Sequence, residues 1–128
     1  MENEKANEIT RQILDASITV HKIMGPGLME SVYELCLKKE LEIRGLSVHN
    51  QVPIPLIYKG LLLSKEFKID LLVEQSVIVE LKSVQVLLPV FDAQIISYLK
   101  LANKKVGLLI NFNVPLLKDG FKRFVNNF

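Results

Sequence analysis

At 128 residues, 49% of them apolar and 23% charged, the chain is long enough to bury a core as a single domain and too apolar to be disordered. A formal net charge of +2 and an isoelectric point near 8.7 fall short of the strongly basic footprint of a dedicated nucleic-acid binder, yet permit nucleic acid as a partner. No apolar run reaches membrane-spanning length and Met1-Glu2-Asn3-Glu4-Lys5 lacks the apolar core of a signal peptide, so a cytoplasmic protein without a membrane partner is expected.

The single cysteine, Cys36, cannot form an internal disulfide, and among Val32, Tyr33 and Leu37 it is read as a buried structural thiol. Ahead of it, Ile9, Ile13, Ala16, Val20 and Ile23 follow helical spacing, which predicts a first helix over roughly 7–24, stopped by Gly25-Pro26-Gly27. His21 sits near that helix's end, where a cationic side chain suits the dipole. A second helix runs to about Arg44 and ends at Gly45. Ser31-Val32-Tyr33-Glu34 matches a capping box that would start it, and Glu30 at its N-terminus has an adequate explanation as a dipole partner.

Strands follow. Residues 46–52 and 54–58 lead to a turn at Lys59-Gly60, with Pro53 and Pro55 suited to a sheet edge, and Leu61 to Val73 forms the return arm, bent or bulged near Lys65-Glu66-Phe67-Lys68. His49 on that edge is expected to be exposed. Val77-Ile78-Val79-Glu80-Leu81-Lys82-Ser83-Val84 reads as a strand buried on both faces, with Glu80 and Lys82 on one side and Leu81 on the other. Two opposite charges there need compensation, because an isolated buried charge costs several kcal/mol. Between Val73 and Val77 a hairpin is expected. If its loop is odd and centred on Gln75, Asp70 falls opposite Glu80; a two-residue loop puts Asp70 opposite Leu81 and separates the acids. A helix over about 90–103 and a second double-faced strand at 106–110 complete a crossover, making that strand parallel to the Glu80 strand. In the tail, Phe121, Phe124, Val125 and Phe128 have helical spacing, although Asp119-Gly120 is also a turn signal; a short helix is expected.

Asp70 followed by Glu80-Leu81-Lys82 on the next strand suits metal-dependent phosphodiester hydrolysis. Two carboxylates and the main-chain carbonyl of Leu81 offer hard oxygens to Mg²⁺ or Mn²⁺, and Lys82 can assist the attacking water or neutralise charge developing on the phosphate. The chain resembles the PD-(D/E)XK nuclease superfamily, and more closely its small GxxExxY proteins. Gly27-Leu28-Met29-Glu30-Ser31-Val32-Tyr33 matches the segment naming that group, and 52–55, 78–82 and 107–112 look like its further blocks. The resemblance implies a restriction-endonuclease-like α/β sandwich with a central mixed sheet flanked by helices. It further implies Asp70, Glu80 and Lys82 as catalytic residues, Glu30 with Asp70, Glu80 and Leu81 as metal ligands, and Gln94 and Tyr98 as a Q-x-x-x-Y pair positioning substrate. Ile69-Asp70 departs from the Pro-Asp of the superfamily's name.

The function expected is a Mg²⁺- or Mn²⁺-dependent nuclease acting on DNA. The alternative is a nuclease-fold binding or assembly module without turnover, acting as a homo-oligomer or with a protein partner. A third reading makes the acids a plain structural ion-pair cluster.

Overall fold

The computed structural model describes the backbone of residues 2–127, and all their side chains except those of residues 2 and 64–66. Helices α1 (Glu2–Met24) and α2 (Glu30–Ile43) precede strands β1 (Val48–Tyr58), β2 (Leu61–Val73) and β3 (Val77–Lys82). Helix α3 (Pro89–Ala102) then crosses to β4 (Val106–Asn111), and a 3-10 turn, Leu117–Gly120, leads into β5 (Phe121–Val125). The strands form one sheet in the order β1-β2-β3-β4-β5, with β3 and β4 parallel and every other pair antiparallel.

Helix α1 begins five residues before the expected Asn7, because Glu4, Lys5 and Ala6 are good helix formers and Ala6 packs against the core. It stops where Gly25 and Gly27 adopt φ of 75° and 92°. Helix α2 begins at Glu30 with Met29 as N-cap and no side-chain cap, so the expected capping box does not form. Ser31 lies inside the first turn, and the Glu34 carboxylate turns instead to β1. At its other end Gly45 supplies the expected left-handed residue, and Leu46 N–H reaches Leu41 C=O at 3.0 Å.

Two apolar layers enclose the sheet. On one face α1 and α2 bring Ile13, Ala16, Tyr33, Leu37 and Leu41 against Leu71, Val79, Leu81, Leu108 and Ile110, with Cys36 partly buried beside them. On the other face α3 sets Tyr98 and Leu99 against Ile54, Ile69, Leu72 and Ile78. Gly107 lets α3 approach closely, since a Cβ there would lie 3.1 Å from Ile95.

The tail is a strand, not the helix expected from its phenylalanine spacing. Gly120 packs so tightly on the Asn111 carbonyl oxygen that an added Cβ would lie 2.2 Å from it, and this approach returns the chain alongside β4. Alternation then explains the phenylalanines: Phe121 packs with the α1/α2 layer and Phe124 with the α3 layer. Phe128 lies outside the described residues. At the opposite edge β1 carries Pro53 and Pro55, which have no N–H to offer another strand.

Candidate functional site

The site grows out of the β2–β3 hairpin. Glu74 and Gln75 both adopt φ of 54°, and Ser76 N–H closes the turn on Val73 C=O at 3.0 Å. This three-residue loop pairs Val73 with Val77, Leu72 with Ile78 and Leu71 with Val79. The odd-length register is therefore the one that forms, and the next pair along it is Asp70 and Glu80.

At that pair the ladder changes character. Asp70 N–H donates to Glu80 Oε2 at 3.1 Å, and Leu81 N–H donates to Asp70 Oδ2 at 2.8 Å. Each carboxyl group thus caps a main-chain donor of the opposite strand. The strands also change which side they face here. Leu71 and Val73 pack with α1 and α2, whereas Ile69, of the same parity, packs with α3; in β1, Val48 and Ile54 divide in the same way. The switch in β1 coincides with Gln51, whose φ is 52°. Past this bend the hairpin's outer part curls over α3, where Phe67 meets Tyr98 with ring centroids 5.7 Å apart.

Glu80 is only 6% exposed. Burial first, and then the neighbouring Asp70 charge, push its pKa up to about 9, against the hydrogen bond from Asp70 N–H and then the Lys82 charge. Near neutral pH it therefore keeps a proton, which lets its side chain hydrogen-bond to Asp70 rather than repel it. Tyr98, 8% exposed, is held above its ordinary pKa by burial and then by the charges of Glu80 and Asp70, while a side-chain hydrogen bond from Gln94 opposes the shift. Gln94 itself is exposed, so the i, i+4 pair reaches from solvent to the acids.

Lys82 is half-buried with Nζ 4.4 Å from the centre of the Phe91 ring. Among the described residues it makes no ion pair with Asp70 or Glu80, so the side-by-side ion pair of the plain structural reading does not form. Its main chain is firmly held. Phe112 N–H donates to Lys82 C=O at 3.0 Å, and Asn111, 2% exposed, binds Val84 through both ends of its carboxamide, at 3.1 and 2.9 Å.

The expected acids do not all converge. Glu30 is exposed at the first position of α2 and makes no hydrogen bond to the acidic pair. One turn later, Glu34 receives Asn50 Nδ2 at 3.2 Å and Gln51 Nε2 at 2.6 Å, and the same Gln51 nitrogen lies 3.4 Å from Asp70 Oδ1. Tyr33 serves the fold: it stacks on Phe112 at 4.4 Å, donates its hydroxyl to Gly25 C=O and accepts from Leu28 N–H at 3.1 Å. Ser83, just past Lys82, donates to Leu28 C=O and so ties the 25–28 loop to the end of β3. His21 is likewise structural, its Nε2 meeting Val114 C=O at 2.8 Å. Sequence reasoning missed Glu34, Gln51 and Asn111; the polar Asn50-Gln51 interruption of an otherwise apolar strand was the available signal.

Among the described residues no group of three or more His, Cys, Asp or Glu side chains is arranged to hold a metal ion. The donor chemistry at Asp70 and Glu80 nevertheless fits a hard divalent cation. Two carboxyl groups lie side by side where one must otherwise keep a proton, and Mg²⁺ commonly takes only one or two protein carboxylates. No helix is long and apolar enough to cross a membrane, again among the described residues.

The family model described as PD-(D/E)XK nuclease superfamily matches residues 7–124. Neither the curated proteins nor the solved structures give a match. A match over nearly the whole chain, on a mixed sheet between helices, means that this chain belongs to the PD-(D/E)XK nuclease superfamily and has its restriction-endonuclease-like α/β fold.

Proposed function

We propose that the protein is a Mg²⁺- or Mn²⁺-dependent nuclease hydrolysing DNA phosphodiester bonds, from the GxxExxY branch of its superfamily. Membership suggests nuclease activity and nucleic acid as partner, and superfamily members generally use divalent metals. The observation carrying the reading is the pairing of Asp70 with Glu80, close enough and dry enough that Glu80 retains a proton.

In this reading Asp70, Glu80 and the Leu81 carbonyl hold the metal. Glu30 is the remaining ligand candidate, resting on the resemblance of its segment alone. The bound metal would activate water and offset charge on the scissile phosphate. Glu80 must release its proton before it can serve as a ligand, so metal uptake and deprotonation are linked. Hydrolysis adds a water oxygen to phosphorus and breaks one P–O ester bond. The Lys82 ammonium, on a flexible stem over Phe91, donates to a phosphate oxygen whose negative charge grows in the transition state. Gln94 and Tyr98 position the substrate from the α3 side.

The test is Mn²⁺-dependent cleavage of DNA, with RNA run in parallel. Asp70→Ala and Lys82→Ala are each expected to abolish it while the protein stays folded; undiminished cleavage in either variant rules out the assigned role.

A second reading, a binding or assembly module without turnover, draws on two observations. Net charge is only +2, giving little grip on a duplex. The outer faces of α1 and α2 also expose Ile23, Leu35 and Ile43 around a groove that includes Met24 and Cys36, a surface suited to a protein partner or a second copy. Calorimetric titration separates the two. Saturable Mn²⁺ binding lost in Glu80→Ala favours the enzyme, and absence of binding at millimolar Mn²⁺ favours the module.

A further inference from the structure

Gln51 occupies a place that its own backbone resists. Its φ of 52° lies in the left-handed region that side-chain-bearing residues seldom adopt, and it sits within a strand, where an extended conformation is the norm. The register on either side is regular: Asn50 faces Leu71 and Val52 faces Ile69, which brings Gln51 level with Asp70. The unusual conformation has a geometric result. The Gln51 carboxamide nitrogen lies 2.6 Å from Glu34 Oε1 on α2 and 3.4 Å from Asp70 Oδ1 on β2. This amide connects the helix to the acidic pair, and Glu34 also receives Asn50 on its other carboxylate oxygen.

Asp70 divides its two oxygens between unlike partners. Oδ2 takes the Leu81 N–H, a main-chain donor fixed by the sheet, whereas Oδ1 faces the Gln51 side chain. The orientation of the Asp70 carboxylate about its final bond is thus set from both sides, once by the sheet and once by Gln51.

We infer that Gln51 is a positioning residue for the acidic site. It orients Asp70 Oδ1 for a divalent cation and is itself held in place by Glu34, so that α2 and the β1 bend together tune the site's affinity. The inference rests on the metal-binding reading of Asp70 and Glu80, and it assigns Gln51 and Glu34 no contact with substrate. Outer hydrogen bonds of this kind commonly change metal affinity about 10- to 100-fold.

The backbone conformation supplies a discriminating variant. Glycine adopts a φ of 52° freely, so Gln51→Gly removes the carboxamide while relieving the main chain. Asparagine also tolerates this region, but Gln51→Asn is one methylene too short to span Glu34 and Asp70 together. Mn²⁺ affinity is measured by calorimetry on the full chain for wild type, Asp70→Asn, Gln51→Gly, Gln51→Asn and Glu34→Gln, with thermal unfolding of each metal-free protein. The expected result is saturable binding in wild type and none in Asp70→Asn. Both Gln51 variants should bind about tenfold more weakly or worse, with Gln51→Gly unfolding at the wild-type temperature or above. Glu34→Gln should weaken binding in the same direction. Wild-type affinity in both Gln51 variants overturns the inference while leaving the metal site intact. Weakened binding accompanied by a matching loss of thermal stability in Gln51→Gly overturns it in favour of a purely structural role. If wild type itself binds no Mn²⁺, the metal-binding reading fails first and takes this inference with it.

Discussion

The two faces of the sheet are built for different ends. The face under α1 and α2 is apolar throughout, crossed by fully buried side chains from both helices and from β2, β3 and β4. The face under α3 has a smaller apolar cluster and carries Glu80, Lys82 and Tyr98 at one end of it, with Asp70 beside Glu80 at the bend where β2 changes sides. The same β3 strand serves both, Val79 and Leu81 pointing one way and Ile78 and Glu80 the other. One layer supplies stability, and the other is free to keep a buried acid that a stability-driven design would replace.

The sharpest test of this division compares one large substitution on each face. Phe112→Ala removes a fully buried ring stacked on Tyr33 and should cost about 3–5 kcal/mol in urea unfolding. Glu80→Gln on the opposite face should do the reverse at alkaline pH. The folded protein holds the Glu80 proton up to about pH 9, whereas the unfolded chain releases it near 4.5. Its contribution to stability is thus fully present below the lower value and is lost as pH rises through the upper one. Wild type should weaken progressively between pH 5 and 9, on the order of several kcal/mol with Mn²⁺ absent, and Glu80→Gln should remove most of that slope. An unchanged slope in the variant would place the titrating group elsewhere.

Metal addition gives a smaller effect in the opposite sense. Saturating Mn²⁺ should recover stability at high pH, and its binding at pH 7 should release about one proton, read from titrations in buffers of different ionisation enthalpy. The smallest expected change is in Lys82→Met, which keeps an apolar stem over Phe91. Unfolding should shift by no more than about 1 kcal/mol, the scale of an exposed cation–π contact, while cleavage is lost.

Much of this division was legible in the chain. Val77–Lys82 declared a strand buried on both sides with charges inside it, whereas the chain allowed two loop lengths after Val73, and the structure takes the odd one centred on Gln75 that brings Asp70 level with Glu80. Those are local signals, where alternation and turn length decide the outcome. Other features depended on distant partners. Ser31 and Glu34 spell a capping box, yet Glu34 found stronger donors in Asn50 and Gln51 across the fold. Phe121 and Phe124 fit a helical period as well as they fit a strand with one ring on each side, and only the close approach of Gly120 to Asn111 decides between them. Gln51 gave no sign of its left-handed backbone, because the demand for it comes from β2 and α2.

Asn111 fastens Val84 at both ends of its amide, and Phe112 anchors the carbonyl of Lys82. The root of the lysine is therefore bolted to the neighbouring strand, and the plate they form moves as one piece. In the proposed reaction, accommodation to an incoming phosphate would fall to the four carbons of the side chain, so the ammonium's range is that of its rotamers pivoting on a fixed hinge.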